Sequence, residues 1–202
     1  MPRKYTTTLN TRPFLFQETK NVAQLLLDGK VEEDIKKMVL EQNLFQLASP
    51  QRALSFYGEI MRRLKMLDEY LLTQLAKTDT QTAKTILLYA LLKKDRLFYE
   101  WMREVVYNKR IVFDYTVRKS ETRRFVEQKG EQEEVVRNWT EDTKRHLIDA
   151  YHQVLTDADI AVRDKDQELT LQLPLIEPTV QEYLITKKEK NIVEVVLGEP
   201  IL

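Results

Sequence analysis

Cysteine is absent from this chain of 202 residues, which excludes disulfides, thiolate metal sites and thiol nucleophiles. Glycine occurs four times and proline six. So few turn formers argue against a hairpin-rich β protein and for helices joined by short polar links. The same scarcity leaves no phosphate-cradling P-loop and no dinucleotide-binding fingerprint. Two histidines are present, His146 and His152. Six positions apart on one helix, they point in different directions and cannot grip one metal together. No G-x-S-x-G nucleophile elbow exists. An excess of charge of one sign is missing too, since 32 basic residues balance 32 acidic ones. Any surface for a polyanion must therefore come from local segregation of charge. The longest aliphatic run, Ile86 to Leu92 between Lys84 and Lys93, is far shorter than the roughly 20 residues a bilayer requires. Met1 to Asn10 is polar, without the apolar centre of a signal peptide, so the expected location is the cytoplasm.

What the chain does hold is 43% apolar and 32% charged residues, enough for one large domain or two small ones. Apolar spacing predicts helices over 14–28 and 31–42, the first stopped by Gly29. Glu32, Glu33 and Asp34 give the second an acidic first turn. Ser49 and Pro50 form the clearest helix start, an N-cap followed by proline at the first helical position, with the helix continuing to Leu67. Further helices are expected over 69–76, 80–108, 120–129, 131–138 and 140–157, with an extended segment over 111–117. Ile160 to Gln172 suits a hairpin turning at Asp164-Lys165-Asp166, and Pro178 opens a last helical stretch that Gly198 ends. The expected fold is thus mainly α. Residues 1–112 form an N-terminal domain with a helix-turn-helix-like unit, and 113–202 a winged-helix-like domain with a small β-hairpin.

The helix after Pro50 is the richest in candidate binding residues. At 100° per residue, Leu54, Tyr57, Met61 and Leu64 fall on one side, and Arg52, Ser55, Arg62 and Arg63 on the other beside Glu59. Gln51, Arg52 and Ser55 occupy the turns from which a recognition helix presents side chains to bases. Arg62, Arg63 and Lys65 suit phosphate contacts. A second set lies later: Arg123 and Arg124 on one helix, Lys144 and Arg145 on the next, where Glu141 and Asp142 would repel phosphate. Either helix is equally explained as an amphipathic element with a solvated basic face. The acids at 32–34 and at Glu131, Glu133 and Glu134 are better read as helix amino termini than as magnesium ligands. The stripe Leu97, Phe98, Trp101, Met102 and Val105 reads as core, with Asp95 and Arg96 candidates for a polar network.

Several phrases match a known pattern. Thr82-Ala83-Lys84, Leu88-Tyr89-Ala90 and Asp95-Arg96-Leu97-Phe98-Tyr99-Glu100 resemble the central block of the BrxA family of BREX phage-defence systems. Phe14-Leu15-Phe16, Asn43-Leu44-Phe45 with Ser49-Pro50, and later Trp139, Thr143, Tyr151, Pro178, Tyr183-Leu184 and Gly198 stand in similar order. The resemblance implies a small all-α protein comparable in fold with the NusB antitermination factor. It also implies a protein associated with double-stranded DNA, encoded beside other defence proteins, with no catalytic centre. On both grounds the expectation is a non-catalytic DNA-binding accessory protein with no metal, cofactor, membrane or small-molecule substrate. The rival is a protein-interaction module that docks on another defence component.

Overall fold

The longest apolar run becomes the middle of the molecule. In the computed structural model, which describes residues 4–165 and 168–201, α5 (Thr80–Lys94) is buried on every side from Thr85 to Leu92. A helix apolar all round belongs in a core. Around it pack α1 (Phe16–Leu27), α3 (Pro50–Leu64), α4 (Glu69–Lys77) and α12 (Lys190–Leu197). Each fully buried leucine or isoleucine of α5 contributes about 2 kcal/mol of apolar burial. One apolar cluster runs from Leu9 near one end of the chain to Leu197 near the other. The protein is mainly α.

The expected long helix over 80–108 is divided. Asp95 leaves the helical conformation, and its side chain accepts from the Phe98 amide at 3.0 Å, capping a new helix, α6 (Arg96–Trp101). A short acidic side chain that can bond nearby amides competes with helix continuation, and here it wins. A π-helical turn, Met102–Tyr107, then leads into α7 (Asn108–Ile111). The expected extended segment over 111–117 shrinks accordingly to β1 (Thr116–Val117). The stripe from Leu97 to Met102 is core as expected, with Val105 partly buried against it: Phe98, Trp101 and Tyr151 pack edge-on or tilted with centroids 5.0 to 5.7 Å apart. Asp95 is buried, while Arg96 pairs with Glu100 at 2.8 Å.

Beyond β1 come α8 (Lys119–Gln132), α9 (Glu134–Arg137) and α10 (Glu141–Asp157), the last capped by Thr140, whose hydroxyl accepts from the Thr143 amide. The hairpin follows as β2 (Ala161–Arg163) and β3 (Leu169–Leu171), antiparallel with Arg163 opposite Leu169. β1 pairs with the other edge of β3, giving the order β1-β3-β2 in place of a two-stranded ribbon. Asp166, in the expected turn, lies outside the described residues. The final helical stretch is two helices, α11 (Pro178–Ile185) and α12, and Gly198 ends the second at φ +76°.

Candidate nucleic-acid interface

The geometry starts at α3. Ser49 Oγ accepts from the Arg52 amide at 3.3 Å, so the predicted cap is in place. The buried arc of α3 is wider than a single apolar stripe. Ala53, Phe56, Tyr57, Glu59, Ile60, Met61, Arg63 and Leu64 are all buried. They cover roughly 200° of the helix wheel at 100° per residue. The cause is packing on several sides, by α1, α5 and α2 (Glu32–Glu41).

Two residues assigned from sequence to the exposed basic face, Arg63 and its neighbour Glu59, therefore lie inside. Both are fully buried. Arg63 Nε donates to Glu59 Oε1 at 3.0 Å, and Lys94 Nζ meets the same oxygen at 2.8 Å. Burial alone would push the Glu59 carboxyl up, but the Arg63 charge and the Lys94 hydrogen bond outweigh it and hold it below its ordinary value. The rest of the Arg63 guanidinium is spent on the backbone: Nη1 donates to Phe14 O at 2.7 Å and Nη2 to Arg12 O at 2.9 Å. With every face of the guanidinium occupied, Arg63 is unavailable to a phosphate. It acts as a clamp on residues 12–14.

That clamp determines where Arg12 goes. Its Nε donates to Ser55 Oγ at 2.8 Å, placing the guanidinium beside the start of α3. Here a cleft of about 1130 Å³ opens between the chain at Leu9–Pro13, the first turns of α3, and α10. Gln51, Arg52 and Ser55 line it, with Arg52 over the Phe56 ring at 5.2 Å. From elsewhere in the chain it gathers Arg12, Lys119, His146 and Arg163. Arg163 Nη2 donates to Gln153 Oε1 at 3.3 Å, and Lys119 pairs with Asp149, the carboxylate among the lining residues. His146 sits 3.2 Å from Asp142. Four strong cations from four separated segments thus face one carboxylate next to the amino terminus of a helix, where the backbone dipole also favours anions.

The remaining predicted residues are not brought to this cleft. Arg62 is exposed but pairs with Glu59 at 3.2 Å, and Lys65 pairs with Glu32 at 3.3 Å. Arg123, Lys144 and Arg145 line a separate small groove of about 210 Å³ with Glu127 and Glu141. Lys144 pairs with Glu141 at 2.8 Å and Arg145 with Asp142. Arg124 faces a third hollow beside Glu104, Lys109 and Glu121. Helix-face reasoning missed Arg12, Lys119, His146 and Arg163. Arg12 precedes the first helix and Arg163 lies on a strand, so no helical spacing marks them. Among the described residues, no group of three or more His, Asp or Glu is placed to hold a metal ion. No helix there is long and apolar enough to cross a membrane.

Fold and site together define a mainly helical protein with a polar, cation-lined cleft at a helix amino terminus. The BrxA family model matches residues 3–188, and this chain belongs to the BrxA family, whose members are components of the BREX phage-defence system. It is 30% identical to the BREX protein BrxA of Bacillus cereus (strain H3081.97), across 96% of this chain and 97% of that one. It is 21% identical to the BREX protein BrxA of Escherichia coli O9:H4 (strain HS), across 93% of this chain and 87% of that protein. The crystal structure of an uncharacterized protein from Magnetospirillum magneticum superposes with a TM-score of 0.79. It is 20% identical, and the superposition covers 98% of this chain and 100% of that one, a likeness of fold.

Proposed function

We propose that this chain is a DNA-binding accessory protein of its defence system, with no catalytic step of its own, and that the cleft at the start of α3 is its duplex-binding surface. One observation carries the reading: Arg12, Arg52 and Arg163 converge on the cleft while holding neutral partners, namely Ser55, the Phe56 ring and Gln153. Arginines whose forks are not already matched to carboxylates can exchange such contacts for phosphate oxygens. Gln51 and Ser55, on the first turns of α3, stand where a recognition helix of a helix-turn-helix-like unit meets base edges. In this reading the segment from α8 to β3 serves as the winged-helix-like unit, with Arg163 as its phosphate contact and Lys119, already paired with Asp149, at the margin. Arg62 and Lys65 drop to a peripheral role because each already has an acidic partner.

The test is fluorescence anisotropy of a short labelled duplex across a salt series. Three free arginines predict a slope of log affinity against log salt of about −3. Arg52→Ala and Arg163→Ala should each flatten that slope by about 0.9, whereas Arg62→Ala should leave it unchanged. Equal affinity and slope in wild type, R52A and R163A would remove the cleft from the DNA contact.

A further inference from the structure

The cleft at the start of α3 carries an acid, Asp149, that works against a polyanion. Arg12, Arg52 and Arg163 face the cleft with neutral partners, but Lys119 donates to the Asp149 carboxylate. Asp149 lies on the face of α10 that also carries His146 and Gln153, both on the cleft wall. Gln153 is the partner of Arg163 and stands one helical turn after Asp149. The acid is thus bonded to one cation of the cleft and placed one turn from the contact of another.

The fold gains little from this pair. Both side chains are half exposed, and an exposed ion pair contributes little to stability. Lys119 is the first residue of α8, where the helix dipole opposes a cation. Asp149 is at the middle of α10, too far from either end to cap the helix or to complement its dipole.

What the pair does change is the cleft. A lysine ammonium takes a phosphate as a point charge, and a carboxylate presents it with a similar anionic edge. While Asp149 holds Lys119, a phosphate must displace the acid to reach the ammonium. Elsewhere in the cleft it still meets the repulsion of the carboxylate.

We propose that Asp149 limits this surface: its carboxylate occupies the phosphate position at Lys119 and leaves the phosphate contacts to the three arginines. The inference rests on the duplex-binding reading of the cleft and deepens it. A duplex held by few phosphates is released at moderate salt. More of the binding then depends on the base contacts of Gln51 and Ser55.

The experiment is the duplex anisotropy salt series with Asp149→Asn, and with Asp149→Asn combined with Lys119→Ala. D149N should bind more tightly than wild type and steepen the slope of log affinity against log salt by about 0.9, the share of one added phosphate. Its advantage should therefore shrink about three- to four-fold between about 50 and 200 mM salt. The double variant should return to the wild-type slope, because the freed ammonium is gone. A wild-type slope that R52A and R163A flatten but D149N does not steepen would overturn this inference and leave the DNA reading standing. A steeper slope that persists in the double variant would overturn it too, since the acid would then act by general repulsion and not by holding Lys119. No duplex binding by wild type or by D149N would remove the DNA reading and this inference together.

Discussion

Replacing Glu59 by glutamine removes one charge from the centre of the molecule and leaves the shape almost unchanged. In the native chain the carboxylate is fully buried and is met by Arg63 at 3.0 Å, Lys94 at 2.8 Å and Arg62 at 3.2 Å. After the change Arg63 stays buried, since Phe14 O and Arg12 O still hold it, but its charge loses the carboxylate bonded to it and keeps only the through-space attraction of Asp95. Breaking a buried pair from one side costs roughly 3–5 kcal/mol, against a total stability of about 5–15 kcal/mol for a domain. E59Q should therefore lower the urea midpoint sharply without changing the slope m. Glu59→Leu with Arg63→Met removes both charges, and its cost should fall well short of the summed single losses. What remains is the desolvation of two carbonyls, at about 1–3 kcal/mol each, and a mostly buried Lys94 that has lost its carboxylate. Double-mutant coupling of at least about 2 kcal/mol is the signature. A loss below about 1 kcal/mol in E59Q, or additive singles, would refute the reasoning that Arg63 is charged and matched. The pH dependence follows the same sign. A carboxyl held below its ordinary 4.5 stabilises the fold above that value, and the contribution is lost as pH falls through the lower folded value.

His152 makes a second acid-sensitive contribution. It is fully buried, its pKa is lowered by burial to about 4 from 6.5, and its Nε2 lies 2.8 Å from Thr122 Oγ1. The unfolded chain takes up that proton first, so stability should be full above pH 6.5 and fall by about 3 kcal/mol as pH drops through 4. Melting temperature against pH should flatten over that window in His152→Gln, and an unchanged pH profile would rule this histidine out as the cause. Gly198→Ala meets both a left-handed φ of +76° and a 2.1 Å approach to Arg110 Nη1. It should cost about 2 kcal/mol or more in denaturant unfolding, and a neutral result would show that Arg110 is free to move.

Elements governed by local chemistry were legible in the sequence. The Ser49-Pro50 start and the Gly29 and Gly198 stops all act within a few residues, and each is present. The helical stripe of Leu97, Phe98 and Trp101 was legible as core because its period is that of the helix. The division at Asp95 was not, because an apolar period continues across it and only the side-chain cap interrupts the backbone. Arg63 was misplaced for a different reason. Helix-wheel reasoning sorts residues by polarity, while burial is decided by how many neighbours a helix has, and α3 has three. Of the cleft, Gln51, Arg52 and Ser55 were legible from the cap and the first turns. Arg12, Lys119 and Arg163 depend on tertiary placement, 43 residues separating Arg12 from its Ser55 partner.

The zero net charge is compatible with a polyanion surface once the ion pairs are followed. Outside the cleft, cation after cation is matched inside the chain: Arg62, Arg63 and Lys94 converge on Glu59, and Lys129 joins Glu100 and Glu104. Lys65, Lys144 and Lys187 each take an acid of their own. Such pairs contribute little field at a distance, because the opposite charges sit within one Debye length of each other. The arginines of the cleft hold a hydroxyl, an aromatic ring and an amide, none of which cancels a charge. On the proposed reading, a duplex would meet in this cleft a concavity whose arginines are not cancelled by acids. If DNA binds there as proposed, that arrangement would favour modest affinity and a small salt slope over tight non-specific coating, with α3 setting the orientation. The clamp formed by Arg63 then links core to function. The buried charge that Glu59 neutralises also holds the Arg12 backbone beside the cleft, so an R63M chain that still folds should bind duplex more weakly although the substitution lies outside the surface.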